Sequence, residues 1–167
     1  MNLIFPKYLT REIAKNAVFF VSQSVYQQNS PLASLITTRG CHIVVLVPAI
    51  SDELDRTHYC LDDMSRAFIL HEESILKDGW KHAYDEIARS KAVQLWDDRA
   101  EKPHLLFGGD TPYWGGVKRD GIVVACSGFY PWIDKVVSGM IADTIIGLAR
   151  DAYERERAEN LDADFVE

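Results

Sequence analysis

The chain is poor in cysteine, and its three cysteines, Cys41, Cys60 and Cys126, are odd in number and share no close spacing. That excludes a disulfide framework and a zinc site of the Cys-x-x-Cys kind. Cys41 and Cys126 border apolar runs, where a free thiol behaves as a small hydrophobe. Positive charge is also scarce, with 18 Lys and Arg against 25 Asp and Glu and a net charge of −7. A surface of that sign repels phosphates, which excludes general binding to nucleic acid. No apolar run approaches the roughly 20 residues that cross a bilayer, and Met1 to Pro6 is too short for a signal peptide. The expectation is a cytoplasmic protein with neither a nucleic-acid nor a membrane partner.

Several catalytic signatures are missing as well. There is no Gly-x-Gly-x-x-Gly fingerprint and no phosphate-loop motif. Ser127 precedes a glycine, but Ala125 stands where a nucleophile elbow needs its first glycine. The five histidines, His42, His58, His71, His82 and His104, follow no metal-ligand spacing. No metal site is expected, and no catalytic set can be assigned from spacing alone.

What is present fits one soluble domain: 167 residues, 47% of them hydrophobic, enough to bury roughly two-thirds of the unfolded surface. Apolar residues at Ile13, Ala14, Ala17, Val18, Val21 and Val25 fall on one face of a helix over Thr10 to Gln27, with Thr10 as its cap. Phe19, Phe20 and Tyr26 widen that stripe toward either a subunit contact or deeper burial. The runs Leu32 to Thr38 and His42 to Val47, joined at Arg39-Gly40, read as a β-hairpin. Ala49 to Met64 is acidic and irregular, a loop with a short strand around Tyr59. Arg66 to Leu70 fits a strand and a helical turn about equally. Trp80 to Trp96 reads as a helix with Asp85 and Arg89 paired at i,i+4.

The most informative stretch follows. Gly115 and Gly116 break the chain, Ile122 to Cys126 is an apolar strand, and Ser127-Gly128 ends it. Pro131 then opens a long amphipathic helix to about Arg155, because proline loses nothing at the first helical position. The acidic tail 156–167 lies outside the domain 1–155 and reads as frayed. Short connections favour an antiparallel sheet, so the fold class is α+β with helices on both faces of the sheet.

The corner from Ser127-Gly128 into the last helix can present backbone amides to an anion. The same glycines also serve a turn that needs positive φ and nothing more. Asp134, in the first turn, complements the helix dipole and would repel a bound anion. Lys91 shares a helix face with Ile87, Ala88 and Leu95, so it either snorkels or aims its ammonium into a pocket at a ligand carboxylate. Trp114 and Trp132 flank the two glycine turns, where they can stack on a flat ligand or belong to a core or subunit interface.

The residues Gly115-Gly116-Val117, Gly121 through Gly128 and Asp134, together with Ile87-Ala88-Arg89-Ser90-Lys91-Ala92, resemble the GlcG/HbpS-like family across about half the chain. That family has a Gly-Gly-Val-Pro turn, a strand ending in Gly-Val-Ser-Gly, an acidic residue entering the last helix, and a Lys-Ala pair in its central helix. Lys118 stands here in place of the proline and Ala125 in place of the glycine. The resemblance implies a single profilin-like domain with a five-stranded antiparallel sheet, commonly assembled into homo-oligomers. It also implies haem or another carboxylate as ligand, with any one histidine as an axial residue. The ligand-binding residues expected are Lys91, Trp114, Gly115, Gly116, Ser127, Gly128 and Asp134. Two other classes stay open: an enzyme acting on a small organic acid, and a structural or adaptor subunit whose pocket its own tryptophans fill.

Overall fold

The computed structural model describes residues 3–36, 40–51, 66–164 and 166. In chain order they form β1 (Leu3–Ile4), α1 (Arg11–Val25), α2 (Ala33–Ile36), β2 (Cys41–Ser51), β3 (Arg66–Ile75), α3 (Tyr84–Trp96), β4 (Gly116–Arg119), β5 (Ile122–Ser127) and α4 (Pro131–Glu159). The protein is α+β. Its five strands form one antiparallel sheet with β2 as the hub, paired to β1, β3 and β5, while β4 pairs with the far side of β5.

β2 and β5 are nearly continuous apolar runs because both of their faces are covered. Ile43, Val45 and Val47 of β2 join Ile122, Val124 and Cys126 of β5 under α1 and α4. Val44 and Leu46, with Val123 and Ala125, lie on the other face under Ala88 and Ala92 of α3. The register sets His42 opposite Ser127 and Val44 opposite Ala125, which fixes the face each residue serves. Among the described residues no helix is long and apolar enough to cross a membrane.

The expected first helix is there, capped by the Thr10 hydroxyl, which accepts from the Ile13 N–H at 3.2 Å. Phe19 and Phe20 stand 63% and 60% exposed and belong to neither core cluster among the described residues. The expected strand from Leu32 is instead the short helix α2, apart from residues 37–39, which lie outside the described set. Ser30-Pro31 explains the difference: the Ser30 hydroxyl accepts from the Leu32 N–H at 3.2 Å and Pro31 sets a helical φ. Arg66 begins a strand that runs on to Ile75, longer than the run to Leu70 read from sequence. The short strand expected around Tyr59 lies outside the described residues, and the supposed loop from Ala49 is β2 as far as Ser51.

α3 starts at Tyr84 rather than Trp80: a 3-10 turn at Lys77–Gly79 precedes Trp80, and residues 80–83 are irregular. β4 and its hairpin with β5 were not read from the sequence. The turn is Asp120-Gly121, both at positive φ (47° and 82°), the signature of a two-residue hairpin. α4 runs to Glu159, past the expected end near Arg155 and into the supposed tail. Ion pairs at i,i+4, Arg150 with Glu154 and Asp151 with Arg155, support that extension.

Candidate functional site

β5 ends at Ser127 and α4 begins at Pro131, so the chain must reverse within three residues. Gly128 makes this possible. Its φ is +144°, and a Cβ there would lie 2.2 Å from the Gly40 carbonyl oxygen and 2.7 Å from the Cys41 Cα. Pro131 takes the first helical position, as its missing N–H allows. Three residues on, Asp134 turns its carboxylate back into the corner and is 1% exposed. Its Oδ1 accepts from the Phe129 N–H at 3.1 Å, and its Oδ2 accepts from Lys91 Nζ at 2.8 Å.

Lys91 arrives from the opposite layer. Ala88, Lys91 and Ala92 form the buried face of α3, so the lysine stem lies along the sheet and carries the ammonium to its end. β4 begins at Gly116, opposite Ala125, and leaves Cys126 and Ser127 of β5 beyond its reach. Lys91 Nζ fills that gap, donating to the Cys126 carbonyl at 2.9 Å as well as to Asp134. Gly115 fits beneath the first turn of α4, where a Cβ would meet the Pro131 carbonyl oxygen at 2.5 Å and the Asp134 Cβ at 2.7 Å. The corner therefore does hold an anion paired with a cation, and the anion is the protein's own carboxylate.

Burial dominates the electrostatics. It raises the Asp134 pKa to about 6, although Lys91, the Phe129 amide and the Cys126 thiol all pull the other way. Burial also pushes the Cys126 thiol well up, so it stays protonated. Lys91 has three protons, and the protein's described residues accept two of them.

A cavity of about 520 Å³ opens over this pair. Lys91, Asp134, Ser127 and Gly128 line it together, which unites four of the seven residues expected from sequence. Its remaining lining is largely aromatic and was not anticipated as a set: Tyr84, Tyr113, Phe129 and Tyr130, with Ile87 and Pro131 between them and Lys81 and His82 on the exposed side. The other three expected residues, Trp114, Gly115 and Gly116, border a crevice of about 10 Å³ on the other side of Lys91 and Tyr113, no larger than one water, and Gly116 also lines a cavity of about 410 Å³ beside Lys118 and Lys135. Trp114 carries the Lys135 ammonium over its ring at 5.8 Å, and Trp132 stacks on Tyr130 at 4.9 Å. None of the four tryptophans lines the larger cavity. Tyrosines from α3, the loop before β4 and the start of α4 line it instead, and no spacing rule marks such residues in advance.

A second buried polar group lies on the same sheet face. His42, 3% exposed, shares a hydrogen bond of 2.9 Å between its Nδ1 and Ser74 Oγ, and its Nε2 lies 3.5 Å from Glu72 Oε2. Arg89 grips Glu72 with two bonds of 3.0 Å and holds its carboxyl below the usual range. Burial lowers the His42 pKa, so the imidazole is neutral at pH 7. His82 is the histidine that lines the cavity; His58 lies outside the described residues. Comparison with protein-family models, with curated proteins and with solved structures finds no match to this chain.

Proposed function

We propose that the protein binds a small, flat, carboxylate-bearing molecule in the cavity above Lys91. The observation that carries this reading is a space of about 520 Å³, within the range of ligand sites, walled by aromatic rings and lined at depth by a buried lysine with a proton to spare. The residues fit haem as one such molecule: His82 offers an imidazole, Lys81 a cation for a propionate, and Tyr84, Tyr113 and Phe129 apolar walls. Haem, when bound, would supply a redox-active iron beside His82. The resemblance to GlcG/HbpS-like proteins points the same way.

Hemin titration followed in the Soret band tests this reading. Saturation near one haem per chain, lost in His82→Gln, is the expected result. An unsaturating drift excludes haem and returns the cavity to other aromatic carboxylates. One observation favours a second reading, an enzyme acting on a small organic acid: Asp134, titrating near pH 6, borders the same cavity. The adaptor reading draws on Trp114, which borders the narrow crevice beside Lys91, whereas no tryptophan lines the larger cavity. We further propose that Phe19 and Phe20 meet a second copy of the chain, giving a homo-oligomer. Light scattering at micromolar concentration tests this, and a monomeric mass would remove it.

A further inference from the structure

We propose that the cavity takes up a flat organic carboxylate together with one proton, the carboxylate binding Lys91 and the proton binding Asp134. This rests on the small-molecule reading above and adds a chemical class and a coupling to it.

The charges that meet a ligand here are buried ones. Lys91 and Asp134 are 3% and 1% exposed and 2.8 Å apart, so together they present no net charge to the cavity they both line. An incoming carboxylate that takes the third proton of Lys91 must then lie within a few ångströms of the Asp134 carboxylate. Two like charges that close, away from water, do not both stay ionised. The three carboxylate and ammonium groups would carry one net negative charge in a buried site, a burden that one proton removes. Asp134 is built to accept it. Its Oδ1 is held by the Phe129 amide, and a protonated Oδ2 can donate to the ligand carboxylate, sharing a proton between two acids.

The other groups around Asp134 do not offer an alternative acceptor. From β5, the Cys126 thiol is protonated and its carbonyl is engaged by Lys91. Behind it on β2 lies Cys41, whose Sγ accepts from the Tyr26 hydroxyl at 3.7 Å. The loop before β4 contributes only the backbone of Gly115 and, on the cavity side, Tyr113. From the segment leading into α3 come Lys81 and His82, exposed on the outer side of the cavity. Tyr84 of α3 and Tyr130, just before α4, complete the titratable lining, and the test removes His82. The Asp134 pKa near 6 places the coupling in a range where it can be read without denaturing the protein.

The test is calorimetric titration of the protein with 2-naphthoate at pH 5, 6, 7 and 8, each in two buffers of different ionisation enthalpy. The expected result is one proton taken up per naphthoate above pH 6, with affinity falling about tenfold per pH unit there. The uptake persists in His82→Gln. Asp134→Asn binds with little dependence on pH, and at pH 8 about 100-fold more tightly than the unaltered protein, while Lys91→Met does not bind. Naphthoate bound with equal affinity from pH 5 to 8 and no proton uptake overturns this inference and leaves the small-molecule reading standing. Proton uptake that vanishes in His82→Gln overturns it too. No naphthoate binding at any pH overturns it, and if hemin also fails to saturate, the small-molecule reading falls with it. The pH series on the unaltered protein decides the matter even if Asp134→Asn does not fold.

Discussion

The two faces of the sheet are built on different principles. The face under α1 and α4 buries a cluster of twenty apolar residues among those described, and the face under α3 buries six. Most of the buried polar groups divide the other way, Asp134 and Ser138 of α4 being the exceptions. His42, Ser127, Lys91 and Gln94 all belong to the α3 side, where Gln94 also donates to the Thr111 carbonyl at 3.0 Å. The α1/α4 layer is held by area removed from water, which is non-directional and insensitive to pH. The α3 layer is held by a few directed bonds, several of them to titrating groups, and the cavity opens on that side. The lesson is that the apolar face fixes the fold, whereas the polar face is where protons and ligands can act on it.

The largest effect should come from the hinge that joins the faces. Gly128→Val is expected to abolish folding, since its Cβ overlaps the Gly40 and Cys41 backbone and its φ of +144° excludes a β-branched residue. A soluble variant with an unchanged melting temperature would contradict this.

Lys91→Met comes next, at about 3–5 kcal/mol at pH 7.5, because it leaves a buried carboxylate without its partner. The loss should shrink at pH 5, where Asp134 can protonate, and the double variant Lys91→Met/Asp134→Leu should regain most of it. Urea melts at the two pH values measure both. On the opposite face, Ile141→Ala is expected to lose about 2–5 kcal/mol through transfer and cavity terms. That loss should be the same at pH 5 and pH 7.5. A pH-dependent value would break the contrast drawn between the faces.

The smallest effect sets two buried titrating groups, Asp134 of α4 and His42 of β2, against each other. The folded-state pKa of Asp134 is raised to about 6 from 3.8, so the native state binds its proton more tightly than the unfolded chain does. Stability from this group therefore rises as pH falls from about 6 toward 4. The folded-state pKa of His42 is lowered below 6.5, so the unfolded chain takes the proton first and stability falls as pH drops through that range. Denaturation midpoints from pH 7.5 to 4.5 should fall more steeply with acid in Asp134→Asn than in the unaltered protein, and less steeply in His42→Gln. Parallel curves for all three would show that neither group is linked to folding.

The difference between the faces also explains what could be read from the sequence. α1, β5 and α4 were legible because they pack the apolar face, where burial imprints its period directly on residues such as Ala14, Val18, Val124 and Ile141. α2 is hard to read because Leu32 to Ile36 is short enough to fit either period, and only the Ser30 hydroxyl at its start marks it as helical. The β4–β5 hairpin was missed although Asp120-Gly121 announces it, since β4 has only four residues. Of the expected site residues, Lys91, Ser127, Gly128 and Asp134 converge because one turn of chain and one helix face bring them together. Trp114, Gly115 and Gly116 border Lys91 from the other side and miss the larger cavity, because adjacency in sequence to a glycine turn says nothing of which side that cavity opens on. That Lys91 would meet Asp134 across 43 residues is a tertiary fact, with no local signature.

β4 is short, and its brevity has a consequence for how the molecule transmits change. Where a fifth and sixth residue would have sealed the sheet, the lysine of one layer touches the aspartate of the other. A sheet normally insulates what lies above it from what lies below, since five hydrogen-bonded strands resist bending as a unit. Here a buried ion pair passes the end of β4 and joins the two layers. A charge placed beside Lys91 on the α3 side therefore acts electrostatically on the first turn of α4.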